Sequence, residues 1–104
     1  MNRIDLLVKI MESFLYSMFQ VLSCMTKIRC VGNKDELEMI IMINYTFMYK
    51  GEIYQDCINY TVYESDLECE FPYVVNMGLY TIGNKVIDEM TRVFVEEQQE
   101  RGVI

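Results

Sequence analysis

Four carboxylates alternate without a miss along Glu64-Ser65-Asp66-Leu67-Glu68-Cys69-Glu70. In an extended chain successive side chains point to opposite faces, so Glu64, Asp66, Glu68 and Glu70 form one row and Ser65, Leu67 and Cys69 the other. Like charges roughly 6.6 Å apart repel, so the row needs a reason. Three are open. The row is a solvated outer face of an edge strand, where charge also discourages edge-to-edge pairing. Or it is a divalent-cation site of hard oxygens, although it lacks the glycine and carbonyl spacing of a calcium loop. Or it is a run of anions spaced like phosphates, suited to a Lys/Arg groove. The last helical segment adds Asp88, Glu89, Glu96, Glu97 and Glu100, with Arg92 and Arg101 among them. Pairs such as Asp88 with Arg92 and Glu97 with Arg101 contribute on the order of 0.3 kcal/mol each. Acids at a helix C-terminus oppose the dipole, so their retention points to an external use. Tyr63 and Tyr73 flank the row, and tyrosine beside carboxylates is what protein-binding surfaces use as anchors.

Other chemistry finds little support. The chain has no His, which removes the commonest general base and metal ligand. Cys24, Cys30, Cys57 and Cys69 show no C-x-x-C spacing, against a zinc knuckle or a thioredoxin-type pair, and a thiol enzyme would lack a His partner. Without a signal peptide they read as reduced cytosolic thiols, so Asn44-Tyr45-Thr46 and Asn59-Tyr60-Thr61 read as strand residues rather than glycosylation acceptors. Gly78-Leu-Tyr-Thr-Ile-Gly83-Asn84-Lys85-Val86 approaches the phosphate-loop pattern, but Asn84 displaces the lysine and Val86 replaces the hydroxyl residue. The two glycines read instead as a kink or a close packing contact. No catalytic residue, cofactor or metal is expected.

The net charge of −7 is unevenly spread: residues 1–50 hold five acids and six bases, residues 51–104 eleven acids and three bases. That imbalance disfavours nucleic acid and anionic membranes as direct ligands and favours a basic partner surface. A hydrophobic fraction of 52% with a single proline argues against disorder, and 104 residues suit one domain, 1–104.

The elements that must position these groups follow from periodicity. Residues 3–25 read as a helix whose apolar arc spans roughly 220°, against about 100° for an ordinary surface helix. A second helix or a second subunit must therefore lie alongside; Lys9, Glu12 and Gln20 interrupt the run before it is long enough to span a membrane. Lys27 to Val31 is a short first strand, closed by the turn formers Gly32-Asn33-Lys34-Asp35. Leu37 to Tyr49 and Glu52 to Tyr63 form a hairpin around Lys50-Gly51. Pairing Tyr49 with Glu52 puts Met39, Ile41, Ile43 and Phe47 on one face with Val62, Tyr60, Ile58 and Tyr54, which is the core face. The opposite face is mixed and is either solvated or meets a partner. After Pro72 a helix runs to about Gln99; Gly78 and Gly83 weaken its first half and leave open whether it breaks near Gly83-Asn84. The fold class is α+β: a single domain of order α-β-β-β-α, a three-stranded antiparallel sheet with both helices on one face.

In size, acidity and element order the whole chain resembles the small acidic anti-CRISPR and anti-restriction proteins of phages. The resemblance implies a non-enzymatic cytoplasmic inhibitor. It would bind the basic nucleic-acid groove of a host protein, such as a CRISPR effector or another defence nuclease, and block DNA or RNA by steric and electrostatic competition. Glu64, Asp66, Glu68, Glu70 and the acids of the last helix would make that contact. The alternative is a homodimeric structural or adaptor domain of a phage or mobile element, paired through the first helix or the mixed sheet face, without nucleic-acid mimicry.

Overall fold

The structure is a computed structural model and describes residues 2–18, 20–32, 36–100 and 102. It is organised around a long hairpin, β2 (Leu37–Tyr49) and β3 (Glu52–Tyr63). Lys50 and Gly51 between them have φ of 51° and 80°. Two consecutive positive φ values make a type I′ turn, whose twist matches that of the strands it joins. Tyr49 faces Glu52, and the ladder runs unbroken to Glu38 opposite Tyr63. Met39, Ile41, Ile43, Phe47, Ile58 and Val62 are buried on the expected face, joined by Tyr45. Helices cover that face alone, so the α+β class and the three-stranded antiparallel sheet stand as read.

β1 (Val21–Gly32) lies on the far side of β2, giving the order β1-β2-β3. It is longer than the sequence suggests, because the first helix, α1 (Arg3–Met18), ends a full two turns before residue 25. The reason is tertiary. A strand of Lys27 to Val31 alone would leave half of the thirteen-residue β2 without a partner on that side, with its backbone groups unpaired. Extending β1 back to Val21 satisfies them, and Met48 N–H reaches the Gln20 carbonyl at 2.9 Å just beyond. Of the turn expected at residues 32–35, only Gly32 lies within the described residues.

The acidic stretch is not extended. Glu64–Cys69 forms a short helix, α2, and Glu70 links it to α3 (Phe71–Glu100). The sheet ladder stops where Tyr63 faces Glu38, so a continued strand would have no neighbour. Coiling instead turns Leu67 inward to 3% exposure and sets Glu64 and Asp66 at a helix N-terminus, where the dipole favours them. Pro72 separates the two helices, since it has no N–H to offer the Glu68 carbonyl. Arg3 Nη1 takes over that task, donating to the carbonyls of Leu67 (2.7 Å) and Glu68 (2.9 Å). Its guanidinium also sits 5.4 Å from the centre of the Phe71 ring.

α3 is unbroken through Gly83 and returns along the sheet, with α1 packed beside it. It is the second helix that the wide apolar arc of α1 requires. Leu7, Met11 and Leu15 of α1 meet Val74, Ile82 and Val86 of α3 in one core. Where the two helices cross sits Gly78: a Cβ there would lie 3.1 Å from Tyr60 Cε2 and 3.2 Å from Met11 Sδ. Gly78 is thus the close packing contact, whereas a Cβ at Gly83 would meet nothing within 4 Å. Among the described residues no helix is long and apolar enough to cross a membrane.

Candidate functional site

Chain direction decides which acids meet. β3 ends at Tyr63, far from the hairpin turn, and α3 starts there. Thirty helical residues rise about 45 Å, close to the roughly 40 Å spanned by a twelve-residue strand. The last turns of α3 therefore arrive beside the turn at Lys50-Gly51. There Glu96, Glu97 and Glu100 converge with Glu52, Tyr49, Tyr54, Lys50 and Val93 around a cleft of about 470 Å³.

Tyrosine forms the cleft wall. Tyr54 stacks on Phe47 with centroids 5.4 Å apart, and Phe47 on Tyr45 at 5.7 Å, so the wall is anchored in the core. Burial, and then the field of Glu52, Glu96, Glu97 and Glu100, push the Tyr54 phenol above its ordinary value. The cleft already holds one cation from the chain itself. Lys50 Nζ lies 3.3 Å from Glu97 Oε2 and 5.6 Å from the centre of the Tyr49 ring. Carboxylates for charge and an aromatic face for the cation are the elements of a site for an ammonium or guanidinium group.

The remaining sequence-predicted residues are spread along the molecule. Glu64, Asp66, Glu68 and Glu70 are all exposed at the opposite end of the sheet. Glu64 and Glu68, one turn apart, share a shallow depression with Glu36, Leu37 and Ser65, whose hydroxyl donates to Glu36 Oε1 at 2.8 Å. Tyr63 precedes α2 and is 41% exposed; Tyr73 lies on the outer side of α3. Asp88 is exposed in the middle of α3 but does not engage Arg92 as its spacing suggests. Arg92 instead grips Glu89 (2.8 Å) and Glu96 (2.9 Å). Glu89 and Asp56 also share Lys85, at 3.8 and 3.4 Å, which ties α3 to β3. Arg101, the proposed mate of Glu97, lies outside the described residues.

The acids thus form no single row: one group lies at each end of the sheet, while Asp56, Asp88 and Glu89 lie between them. Glu52 and Lys50 escaped the sequence reading as site residues, although the hairpin register and the helix length together place them beside Glu96–Glu100. The outer sheet face is different again: its charged residues are Lys27 and Arg29 of β1 and Glu38 of β2. Among the described residues no three acidic or thiol groups converge on a point where a metal ion would sit. No protein-family model matches the chain, and neither a curated protein nor a solved structure matches it.

Proposed function

We propose that this chain is a small non-enzymatic inhibitor that docks on the basic nucleic-acid groove of a larger protein, such as a CRISPR effector or another defence nuclease, and keeps DNA or RNA out. The observation that carries the reading is the tyrosine-walled acidic cleft at the hairpin end, which binds the chain's own Lys50 as it would a partner's lysine or arginine. Shape supports it. The molecule measures 55 × 23 × 20 Å, with a radius of gyration of 16.0 Å. A compact chain of this length has about 13 Å. A rod with anionic ends suits an elongated cationic groove, where Glu64 and Glu68 at one end and Glu52, Glu96, Glu97 and Glu100 at the other stand in for separated phosphates.

The test has two stages. Proteins captured from a host lysate at low salt are identified, and each is assayed for binding of labelled DNA or RNA with the chain added. The expected result is displacement of nucleic acid that fades steeply as salt rises, and that is lost in the Glu52→Gln, Glu96→Gln, Glu97→Gln, Glu100→Gln variant. Equal displacement by the native chain and that variant would remove the cleft from the mechanism. A captured partner that keeps its nucleic acid would remove the mechanism itself.

A further inference from the structure

α3 has a second apolar face, turned to solvent. Val74, Gly78, Ile82, Val86 and Val93 point into the core, as one face of a surface helix should. On the opposite side Tyr73, Met77, Tyr80, Ile87 and Phe94 are also apolar, yet exposed at 61, 37, 64, 58 and 45%. Their spacing is not scattered. Tyr73, Met77, Tyr80, Asn84, Ile87, Thr91 and Phe94 follow one another at steps of four and three, the heptad repeat of a helix that packs on another helix. The seam covers three heptads, about 33 Å, and holds no charged residue in a chain of net charge −7. Isolated exposed apolar residues are ordinary; a continuous uncharged stripe at coiled-coil spacing is not.

We infer that a second copy of this chain covers this stripe, through an antiparallel pairing of α3 with the partner's α3. Three observations select that occupant. Charge sets the direction: residues 71–84 contain no acid or base, whereas residues 85–100 hold five acids and two bases. Within α3 itself, a parallel pair would lay the acidic halves side by side, whereas an antiparallel pair lays each against the uncharged half of the other helix, with the helix dipoles opposed as well. The heptad spacing is self-complementary in that direction. Met77 meets the partner's Phe94, Tyr80 meets the partner's Thr91, and Asn84 lies beside the two-fold axis as the single amide of the seam, a residue that fixes register. The area suffices. Five side chains exposed to this degree offer on the order of 600 Å² per copy, which with their flanks approaches the roughly 800 Å² per partner of a stable interface. The seam is neither the first helix nor the open sheet face, and it leaves the cleft at the hairpin end uncovered.

Sedimentation of the full chain across concentrations tests the pairing. A reversible dimer is expected for the native chain. The Tyr80→Glu, Ile87→Glu variant should dimerise at least about 100-fold more weakly, with unchanged circular dichroism, because both residues face solvent in the single copy. A native chain that stays monomeric, or a variant that dimerises as well as the native chain, overturns the inference. Direction is read separately, in chains whose four cysteines are replaced by serine and whose thermal melt is unchanged. Met77→Cys mixed with Phe94→Cys should form a disulfide-linked dimer, and neither should do so alone. Self-linking of Met77→Cys would overturn the antiparallel assignment.

Discussion

Arg3 is the residue on which the acidic end depends. The break at Pro72 leaves the last carbonyls of α2 without helical donors, and one guanidinium serves both Leu67 and Glu68 while lying over Phe71. Hydrogen bonds from a charged donor contribute about 1.5–3 kcal/mol. Arg3→Ala should therefore lower stability in urea by about 2 kcal/mol, while Arg3→Lys, with no planar fork, recovers part of it; an unchanged midpoint for Arg3→Ala would contradict the assignment. Tyr45 is buried, with 2% exposure. Burial, followed by the nearby Asp56 carboxylate, raises its phenol well above the ordinary value of 10.0. Tyr60 is raised too, again mainly by burial. In the unfolded chain these phenols release a proton near pH 10, and in the folded chain they keep it, so the folded state binds more protons there and stability falls as pH rises. It is complete below about pH 10 and declines above it. Ultraviolet titration should show the buried phenols ionising only as the chain unfolds, and Tyr45→Phe should shallow the alkaline decline.

The two glycines of α3 separate packing from propensity. A methyl at Gly78 pushes into Tyr60, whose hydroxyl is fixed on the Val74 carbonyl at 2.8 Å, and into Met11. Gly78→Ala should cost about 1–2 kcal/mol despite its better helix propensity. Gly83, beside rather than in the outward seam, is open, and Gly83→Ala should stabilise the helix by about 0.5–1 kcal/mol. Thermal melts of the pair should move in opposite directions. The hairpin was legible from sequence down to its register, because Lys50-Gly51 and strict alternation act locally. The end of α1 and the state of residues 64–70 were not legible. Periodicity alone carries the helix through Val21-Leu22 and leaves Glu64–Glu70 open between strand and loop, whereas the presence or absence of a neighbouring strand decides both. Alternating acids reported only on themselves; Leu67, which had to be buried, decided the conformation.

For the whole molecule, what matters is that the charge is divided. With about 40 Å between the two acidic ends, their contributions to binding a basic protein should be independent. Glu64→Gln with Glu68→Gln, and Glu96→Gln with Glu100→Gln, should each weaken the captured partner by about tenfold, and the combined variant by the product, read by calorimetry at fixed salt. A combined loss no greater than either alone would mean that only one end touches the partner. Acidity in the second half of the chain was visible in the sequence. Its partition was not, because that required knowing that α3 runs the length of the sheet and carries Glu96–Glu100 back to the turn.

Position 50 has a left-handed backbone, φ 51°, where asparagine or glycine would sit with less strain, yet it is a lysine. Its ammonium fills the space between Glu97 and Tyr49 that an incoming side chain would need. Lys50 thus works as a tethered stopper, and every visitor must first evict it. Lys50→Asn should relax the turn and vacate the socket together, giving a chain that melts higher and grips its target more tightly than the native one.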